Sequence, residues 1–326
     1  MNRRERHKQA KEDRGGGKRG KAASHAFIDP HYDDTLALDA QLNEAVEHHR
    51  AGRLFEAEEI YRRILAAEPD YPYALCLLGT IAQATGEYDQ AVELIFRAIA
   101  VKPDYMDAYI NLGTVLLTAA RFEEALASLE QALALDPDSA EAHSNKGVTL
   151  MKLDRPDDAV ASYRKALDLK PDYAEAHSNL GLALQDLGKL DEAVASFHKA
   201  LAIKPDYADA HYNLHSLLLD PDDLVPSIKC MKRAVDIEHS RADYRFMLGM
   251  LLDYSGNPQE AKPHFDMVEN GASLYRARLD AWRHIKSANG KIPPIIGSSI
   301  EALELGIDAA VVDGLILEFG VRFGTS

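Results

Sequence analysis

DPDSAEAHSNKGVTLMKLDRPDDAVASYRKALDLK, residues 136–170, is repeated almost letter for letter by KPDYAEAHSNLGLALQDLGKLDEAVASFHKALAIK, residues 170–204. The small and apolar positions coincide when one stretch is moved by 34 residues. Prolines mark the same period at Pro69, Pro103, Pro137, Pro171 and Pro205. Self-similarity at this length is typical of solenoids built from two-helix repeats. The period therefore predicts an all-α fold.

Two columns of small residues support this division into helix pairs. Packed helices approach closely only where their side chains are small. One position of the first helix is held by Gly79, Gly113, Gly147, Gly181 and Gly249. One position of the second helix is held by Ala57, Ala91, Ala125, Ala159, Ala193 and Ala261. Glycines supply the turn between the helices, and each proline ends a second helix.

These columns resemble the tetratricopeptide repeat (TPR) family, which implies a right-handed superhelical solenoid of helix-turn-helix repeats. The resemblance covers residues 38–275 and gives seven repeats: 38–71, 72–105, 106–139, 140–173, 174–207, 208–241 and 242–275. They start near Leu38, Pro72, Met106, Ala140, Ala174, Ala208 and Ala242. The terminal repeats depart from the pattern, as terminal repeats often do. Ala45 and His215 replace the glycine, Ser227 replaces the alanine, and His239 replaces the closing proline.

Composition limits the classes of partner. Residues 1–37 form a basic arm and lead-in, and residues 1–21 alone carry nine Lys or Arg against three acids. With no apolar content we expect this arm to be disordered. The chain as a whole has a net charge of −15, which argues against nucleic acid as a partner. No apolar run is long enough to span a membrane and no secretory signal is present, so we expect a cytoplasmic protein. Cys76 and Cys230 are interpreted as reduced core thiols.

Asparagine recurs two residues before the glycine column, at Asn111, Asn145, Asn179 and Asn213. Asparagine is a mediocre helix former, so four copies on one face suggest a binding role. An amide donates and accepts, which suits the backbone of an extended peptide. The column resembles the asparagine ladder of the O-linked N-acetylglucosamine transferases, which implies contacts with a peptide backbone in the concave groove. The alternative is that the amides bond within the solenoid and bind nothing.

A column of histidines, His143, His177 and His211, is not expected to bind metal. Equivalent positions of adjacent repeats are separated by packed helices about 8 to 10 Å apart, whereas zinc needs ligands at about 2 Å. We interpret these histidines as substitutes for the large residue that the TPR family places there. Lys146 and Lys152 do not form the lysine clamp by which other TPR proteins grip acidic C-termini.

Residues 276–326 have a different character and are predicted to be a linker followed by the first helix and strand of an incomplete α/β domain. LEFGVRFGTS, which ends at Ser326, resembles the first motif of class I S-adenosylmethionine-dependent methyltransferases, in particular the macrocin O-methyltransferase-like family. The resemblance implies that Glu318, Gly320 and Gly324 would contact S-adenosylmethionine in a completed domain. A capping strand of no such ancestry is the alternative.

The sequence thus predicts a scaffold that binds an extended protein or peptide segment through four asparagines. It indicates no catalytic residue, no metal ligand and no cofactor in the chain as given, because P-loop, HExxH and GxSxG motifs are absent. If the chain is a fragment of a longer protein, the repeats would recruit substrate for a methyltransferase. An O-linked glycosyltransferase shares the repeats but is less favoured, because the tail does not resemble its catalytic region.

Overall fold

The computed structural model of the chain describes residues 30–220, 222–270, 279, 282 and 283, with side chains from residue 37 onward. These residues contain fourteen α-helices, and their one β-type pairing is an isolated bridge between Asp220 and Asp223. The predicted all-α repeat solenoid is therefore confirmed over this part of the chain, whereas nothing in it supports an additional α/β domain. No helix among the described residues is both long and apolar enough to cross a bilayer.

Residues up to Pro69 form one compact body and residues from Asp70 form another. The N-terminal body contains α1, Pro30–Arg50, and α2, Leu54–Ala67. Helix α1 starts earlier than the sequence indicated, because residues 30–37 were assigned to the lead-in. Proline suits the first turn of a helix, where no backbone N–H is needed. Tyr61 and Ile64 of α2 are fully buried in this body.

The C-terminal body consists of six helix pairs in sequence order. The first helices are α3 (Pro72–Ala84), α5 (Met106–Thr118), α7 (Ala140–Lys152), α9 (Ala174–Asp186), α11 (Ala208–Leu217) and α13 (Ala242–Tyr254). The second helices are α4 (Tyr88–Val101), α6 (Phe122–Leu135), α8 (Pro156–Leu169), α10 (Leu190–Ile203), α12 (Val225–Ile237) and α14 (Pro258–Glu269). Each second helix packs against its own first helix and, where another pair follows, against the first helix of that pair. Every helix therefore has neighbours close in sequence, as expected of a solenoid.

The glycine column marks the closest approach within each pair. A Cβ placed on Gly113 would lie 2.7 Å from Cγ of Leu129, and one on Gly147 would lie 2.5 Å from Cε1 of Tyr163. The residue sixteen positions after the glycine thus fills the space that a side chain would need. Where this column holds glycine, larger residues are excluded by the apolar side chain of the second helix.

The turns between paired helices need a left-handed residue. Gly86, Gly188 and Gly256 supply it with φ values of 85°, 71° and 82°. In the third and fourth repeats the same place is taken by Ala120 and Asp154, both with φ of 58°. A residue with a Cβ is strained in this region by about 1 kcal/mol. These two repeats therefore carry strained turns.

The sixth repeat, 208–241, is irregular. Its first helix has 10 residues, whereas the other first helices of the C-terminal body have 13. His215 stands in the glycine column, and the residue sixteen positions later is the fully buried Met231. Ser227 stands in the alanine column, fully buried, and its Oγ has no hydrogen-bond partner. Both substitutions place a larger or polar group where the other repeats are small and apolar.

The last repeat is covered by residues that the sequence analysis assigned to a linker. Leu279 and Trp282 are buried in one cluster with Leu248, Phe265 and Val268. Nε1 of Trp282 donates a hydrogen bond of 3.0 Å to Oδ2 of the buried Asp253. The start of the predicted tail therefore contributes to the core of the repeats. Apart from Arg283, the rest of 276–326 lies outside the described residues, as do residues 1–29 of the basic arm.

Candidate functional site

The four predicted asparagines lie on consecutive first helices and are all half-buried. They are Asn111 on α5, Asn145 on α7, Asn179 on α9 and Asn213 on α11. Each stands two residues before the glycine column, which faces the paired second helix. Because an α-helix turns about 100° per residue, the asparagine lies on the opposite side of the first helix. We call this side of α5, α7, α9 and α11 the amide face.

The asparagines of the third and fourth repeats bond within the solenoid. Nδ2 of Asn111 donates to Sγ of Cys76 at 3.2 Å, and Nδ2 of Asn145 donates to Oγ1 of Thr114 at 3.4 Å. Each acceptor lies on the preceding first helix. One N–H of each amide is thus engaged by a neighbouring repeat, while its second N–H and its carbonyl oxygen stay available.

Asn179 and Asn213 have no side-chain hydrogen bond to any described residue. Their neighbours explain the difference. The place that Thr114 takes beside Asn145 is taken by Val148 beside Asn179 and by Leu182 beside Asn213. The place of Cys76 is taken by Ser144 and Ser178, whose hydroxyls form no hydrogen bond with these amides. The two amides are left with both donor and acceptor groups unused.

A second polar network ties α3 to α5. Nε2 of Gln83 donates to Oγ1 of Thr118 at 2.9 Å and to the carbonyl oxygen of Thr114 at 3.4 Å. Together with the bonds of Asn111 and Asn145, this network links the first helices of the second, third and fourth repeats. The two asparagine amides without a hydrogen bond to a described residue are therefore those of repeats five and six.

Acidic residues recur four positions before the asparagines, a pattern that the sequence analysis missed. The column consists of Asp107, Glu141, Glu175 and Asp209, and Asp243 continues it on α13. Residues four apart share one face of a helix, so these carboxylates lie on the amide face. The signal was present as a 34-residue spacing of acids on the first helices.

The negative charge of the acidic column is only partly neutralised by ion pairs. Nζ of Lys204 lies 3.6 Å from Oε1 of Glu175, and Arg241 pairs with Asp209 at 3.4 Å and Asp243 at 2.7 Å. Asp107 and Glu141 have no ion pair with any of the described side chains. The amide face thus carries unpaired negative charge on repeats three and four.

The histidine column has a structural role. Nε2 lies 2.9, 2.9 and 3.0 Å from a proline carbonyl oxygen in the pairs His143–Pro137, His177–Pro171 and His211–Pro205. Because a carbonyl only accepts, each Nε2 carries the proton. Burial lowers the pKa of His177 and His211, which favours the neutral ring. The histidines fix the turn that leads into the first helix, and within the described part no three His, Cys, Asp or Glu side chains are placed to hold a metal ion.

Of the other residues singled out from the sequence, some lie in the described helices and some in the tail outside the described residues. Cys76 and Cys230 are free thiols, and burial raises the pKa of both. Lys146 pairs with Glu130 of α6 at 2.9 Å and is not available to a ligand. Glu318, Gly320 and Gly324, predicted to contact a cofactor in a completed domain, lie outside the described residues.

A family model described as the cilia and flagella-associated protein 70 C-terminal domain, of TPR type, matches residues 6–249, about three quarters of the chain. A search of curated proteins found no match.

Many solved structures resemble the chain, and two of them are described here. One is TTC0263, a thermophilic TPR protein in Thermus thermophilus, with 29% identity and a TM-score of 0.50 over 56% of this chain and 100% of that protein. The other is the APC/C hetero-tetramer Cut9-Hcn1, with 18% identity and a TM-score of 0.59 over 66% of this chain and 43% of that one. At this low identity the second likeness concerns the fold alone.

Proposed function

Because this chain belongs to the TPR family of the cilia and flagella-associated protein 70 C-terminal domain, we propose that it is a protein-interaction scaffold that holds an extended partner segment along the amide face. The observation that carries this proposal is the pair of uncommitted amides on repeats five and six. Asn179 and Asn213 are half-buried and polar, yet they bond to no described side chain.

The chemistry of these amides fits a peptide backbone. An extended segment presents N–H and C=O groups along its length, and a primary amide can donate to one and accept from the other. Consecutive first helices repeat this group without choosing the partner's side chains. Asparagine lowers helix stability relative to alanine or leucine, so its presence on four consecutive first helices has a cost that peptide binding would offset.

Asn111 and Asn145 extend the same surface with fewer free groups. Each has already donated one N–H to the preceding helix. Replacing them therefore removes a bond within the solenoid together with any bond to a partner. The asparagines thus form two pairs: one that would contribute to both folding and binding, and one that would contribute to binding alone.

Selection from a library of displayed random peptides of about twelve residues, carried out on the full chain, provides the test. We expect enriched peptides whose Kd rises about thirtyfold in the Asn179→Ala/Asn213→Ala variant, because two net hydrogen bonds of about 1 kcal/mol each are removed. The melting temperature of that variant should be no lower than that of the original chain, because alanine is the better helix former and no bond within the solenoid is removed.

The matched control is Gln131→Ala, which removes an exposed amide from the second helix α6. This variant should bind the enriched peptides with unchanged Kd. Failure to enrich any peptide, or equal Kd values for the double variant and the control, would refute the proposal.

A further inference from the structure

Residues 29 positions apart touch each other within the repeats. Nζ of Lys102 donates to the hydroxyl of Tyr73 at 2.6 Å, and Nζ of Lys204 lies 3.6 Å from Oε1 of Glu175. In both pairs the earlier residue lies on the first helix, at the repeat position that the acidic column occupies. The later residue follows the second helix of the same repeat. This register places a cation beside the amide face.

In the sixth repeat both members of the pair are acids, and an arginine joins them. The pair is Asp209 and Glu238, and Nη1 of Arg241 lies 3.4 Å from Oδ1 of Asp209 and 3.3 Å from Oε2 of Glu238. The guanidinium also lies over the ring of Tyr244, with Cζ 4.1 Å from the centroid. The carboxylate nearest to this arginine is that of Asp243, with Oδ2 2.7 Å from Nη2. Asp209 and Glu238 thus complete a site in which carboxylates and an aromatic ring surround a guanidinium.

The third repeat has the same two carboxylates without the arginine. Asp107 and Asp136 occupy the places of Asp209 and Glu238, and both are exposed. Ser139, the last residue of the third repeat, corresponds to Arg241, the last residue of the sixth, and Ala142 corresponds to Tyr244. No ion pair to Asp107 or Asp136 is formed within the described residues.

The nearby cations are engaged elsewhere. Lys102 donates to Tyr73, and Lys165 lies 4.0 Å from Asp138. The side chain of Asp136 accepts the backbone N–H of Asp138 at 3.0 Å, a bond that leaves its charge uncompensated. Two exposed carboxylates thus stand in a register that elsewhere in this chain holds a cation.

We propose that Asp107 and Asp136 bind an arginine side chain of the partner segment. This inference rests on the proposed function, because Asp107 lies one helical turn before Asn111 on the amide face. A planar guanidinium can donate to both carboxylates at once, which an ammonium does less well. The partner is therefore an extended segment with an arginine at the end that lies over the third repeat.

The peptide selection described above also tests this inference. Peptides enriched on the full chain should share an arginine at one end, and their Kd should rise about fivefold in the Asp107→Asn/Asp136→Asn variant, as expected for a solvent-exposed pair. The matched control is Glu93→Gln/Asp168→Asn, which removes the same net charge from exposed positions of second helices. The control should leave the Kd unchanged at equal salt.

A second variant supplies the arginine from within the chain. Ser139→Arg places a guanidinium at the N-cap position that Arg241 occupies, and it removes the hydrogen bond that the Ser139 hydroxyl accepts from the N–H of Ala142. We expect this variant to bind arginine-containing peptides about fivefold more weakly and to lose the preference for arginine. Enriched peptides without a shared arginine, or an arginine preference that survives both variants, would overturn the inference while leaving the proposed function standing. Absence of any enriched peptide contradicts the proposed function itself.

Discussion

Repeats five and six differ in how closely their helices pair, although they share the same histidine and asparagine columns. In repeat five, 174–207, glycine at position 181 lies against the ring of Phe197 and the alanine column is intact. In repeat six, 208–241, His215 and Ser227 occupy those two columns and the first helix is three residues shorter. The comparison separates the residues that pair the helices from those that face a partner.

The small columns determine local stability, and the amide face is independent of them. His215 is buried, and burial lowers its pKa to about 4. Ser227 buries a hydroxyl without a partner. Asn213, on the other side of the same helix, is half-buried like Asn179. Repeat six can therefore lose packing quality without losing its place in the proposed binding surface.

The largest expected effect comes from filling the glycine column of a regular repeat. Glycine to alanine inside a helix normally stabilises by about 0.5 to 1 kcal/mol. At Gly147 the added Cβ would lie 2.5 Å from the buried ring of Tyr163, so we expect Gly147→Ala to destabilise the chain by about 3 kcal/mol. Urea unfolding measures this change. A stabilised variant would show that the pairs are less tightly packed than described.

Acid should weaken repeat six more than repeat five. Since the pKa of His215 is lowered from 6.5 to about 4 in the folded chain, the unfolded chain binds a proton first as the pH falls. The contribution of neutral His215 to the free energy of unfolding is complete above the pKa of the unfolded chain. This contribution is lost as the pH falls towards the pKa of the folded chain, and the loss is about 2 kcal/mol at a pH of about 5.

Hydrogen exchange of α11 and α9 between neutral and mildly acidic pH measures this difference. The variant His215→Gln, which does not titrate, should remove most of the extra acid sensitivity of α11. Burial lowers the pKa of His177 as well, so α9 should respond in the same direction to a smaller extent. An equal response of both helices in the original chain contradicts the prediction.

Alanine in place of serine, and serine in place of alanine, should change the stability of the chain in opposite directions at this column. Ser227→Ala removes a buried hydroxyl without a partner and should stabilise the chain by about 1 kcal/mol. Ala193→Ser, at the same position of repeat five, should cost about as much. Paired urea titrations give both values. Two changes of the same sign would contradict the comparison of the two columns.

The smallest effect concerns the strained turns. Ala120 has φ of 58°, a region in which glycine carries no steric penalty. We expect Ala120→Gly to stabilise the chain by about 0.5 kcal/mol, the strain relieved being partly offset by the greater freedom of glycine when unfolded. Gly188→Ala, with φ of 71°, is the reciprocal control and should destabilise it. Thermal unfolding of both variants provides the measurement.

The repeat architecture was predictable because the period, the glycine column and the alanine column express one packing requirement, the close approach of two helices. The histidine bonds were also within reach, since each histidine follows a proline by six residues. The difference between bonded and unbonded asparagines was not recognised from the sequence. It depends on an acceptor that lies 31 positions before Asn145 and 35 positions before Asn111. Val148 and Leu182 leave the later amides without an acceptor, whereas Thr114 and Cys76 engage the earlier ones.

The first residues of the tail cover the end of the solenoid, which the sequence did not indicate. Trp282 lies in residues 276–326, which were predicted to be a linker and the start of an α/β domain, but its ring is buried against the last repeat and its N–H bonds to Asp253. A solenoid end exposes apolar surface that has no neighbouring repeat to cover it. Leu248 and Phe265 provide such a surface here, and Leu279 and Trp282 lie on it.

The most direct test of the binding surface is a nuclear magnetic resonance titration of side-chain amides in the full, ¹⁵N-labelled chain with an enriched peptide. The account predicts large shifts for the amides of Asn179 and Asn213, smaller shifts for those of Asn111 and Asn145, and none for that of Gln131. Shifts at Gln131 with unchanged signals from Asn179 and Asn213 would contradict it.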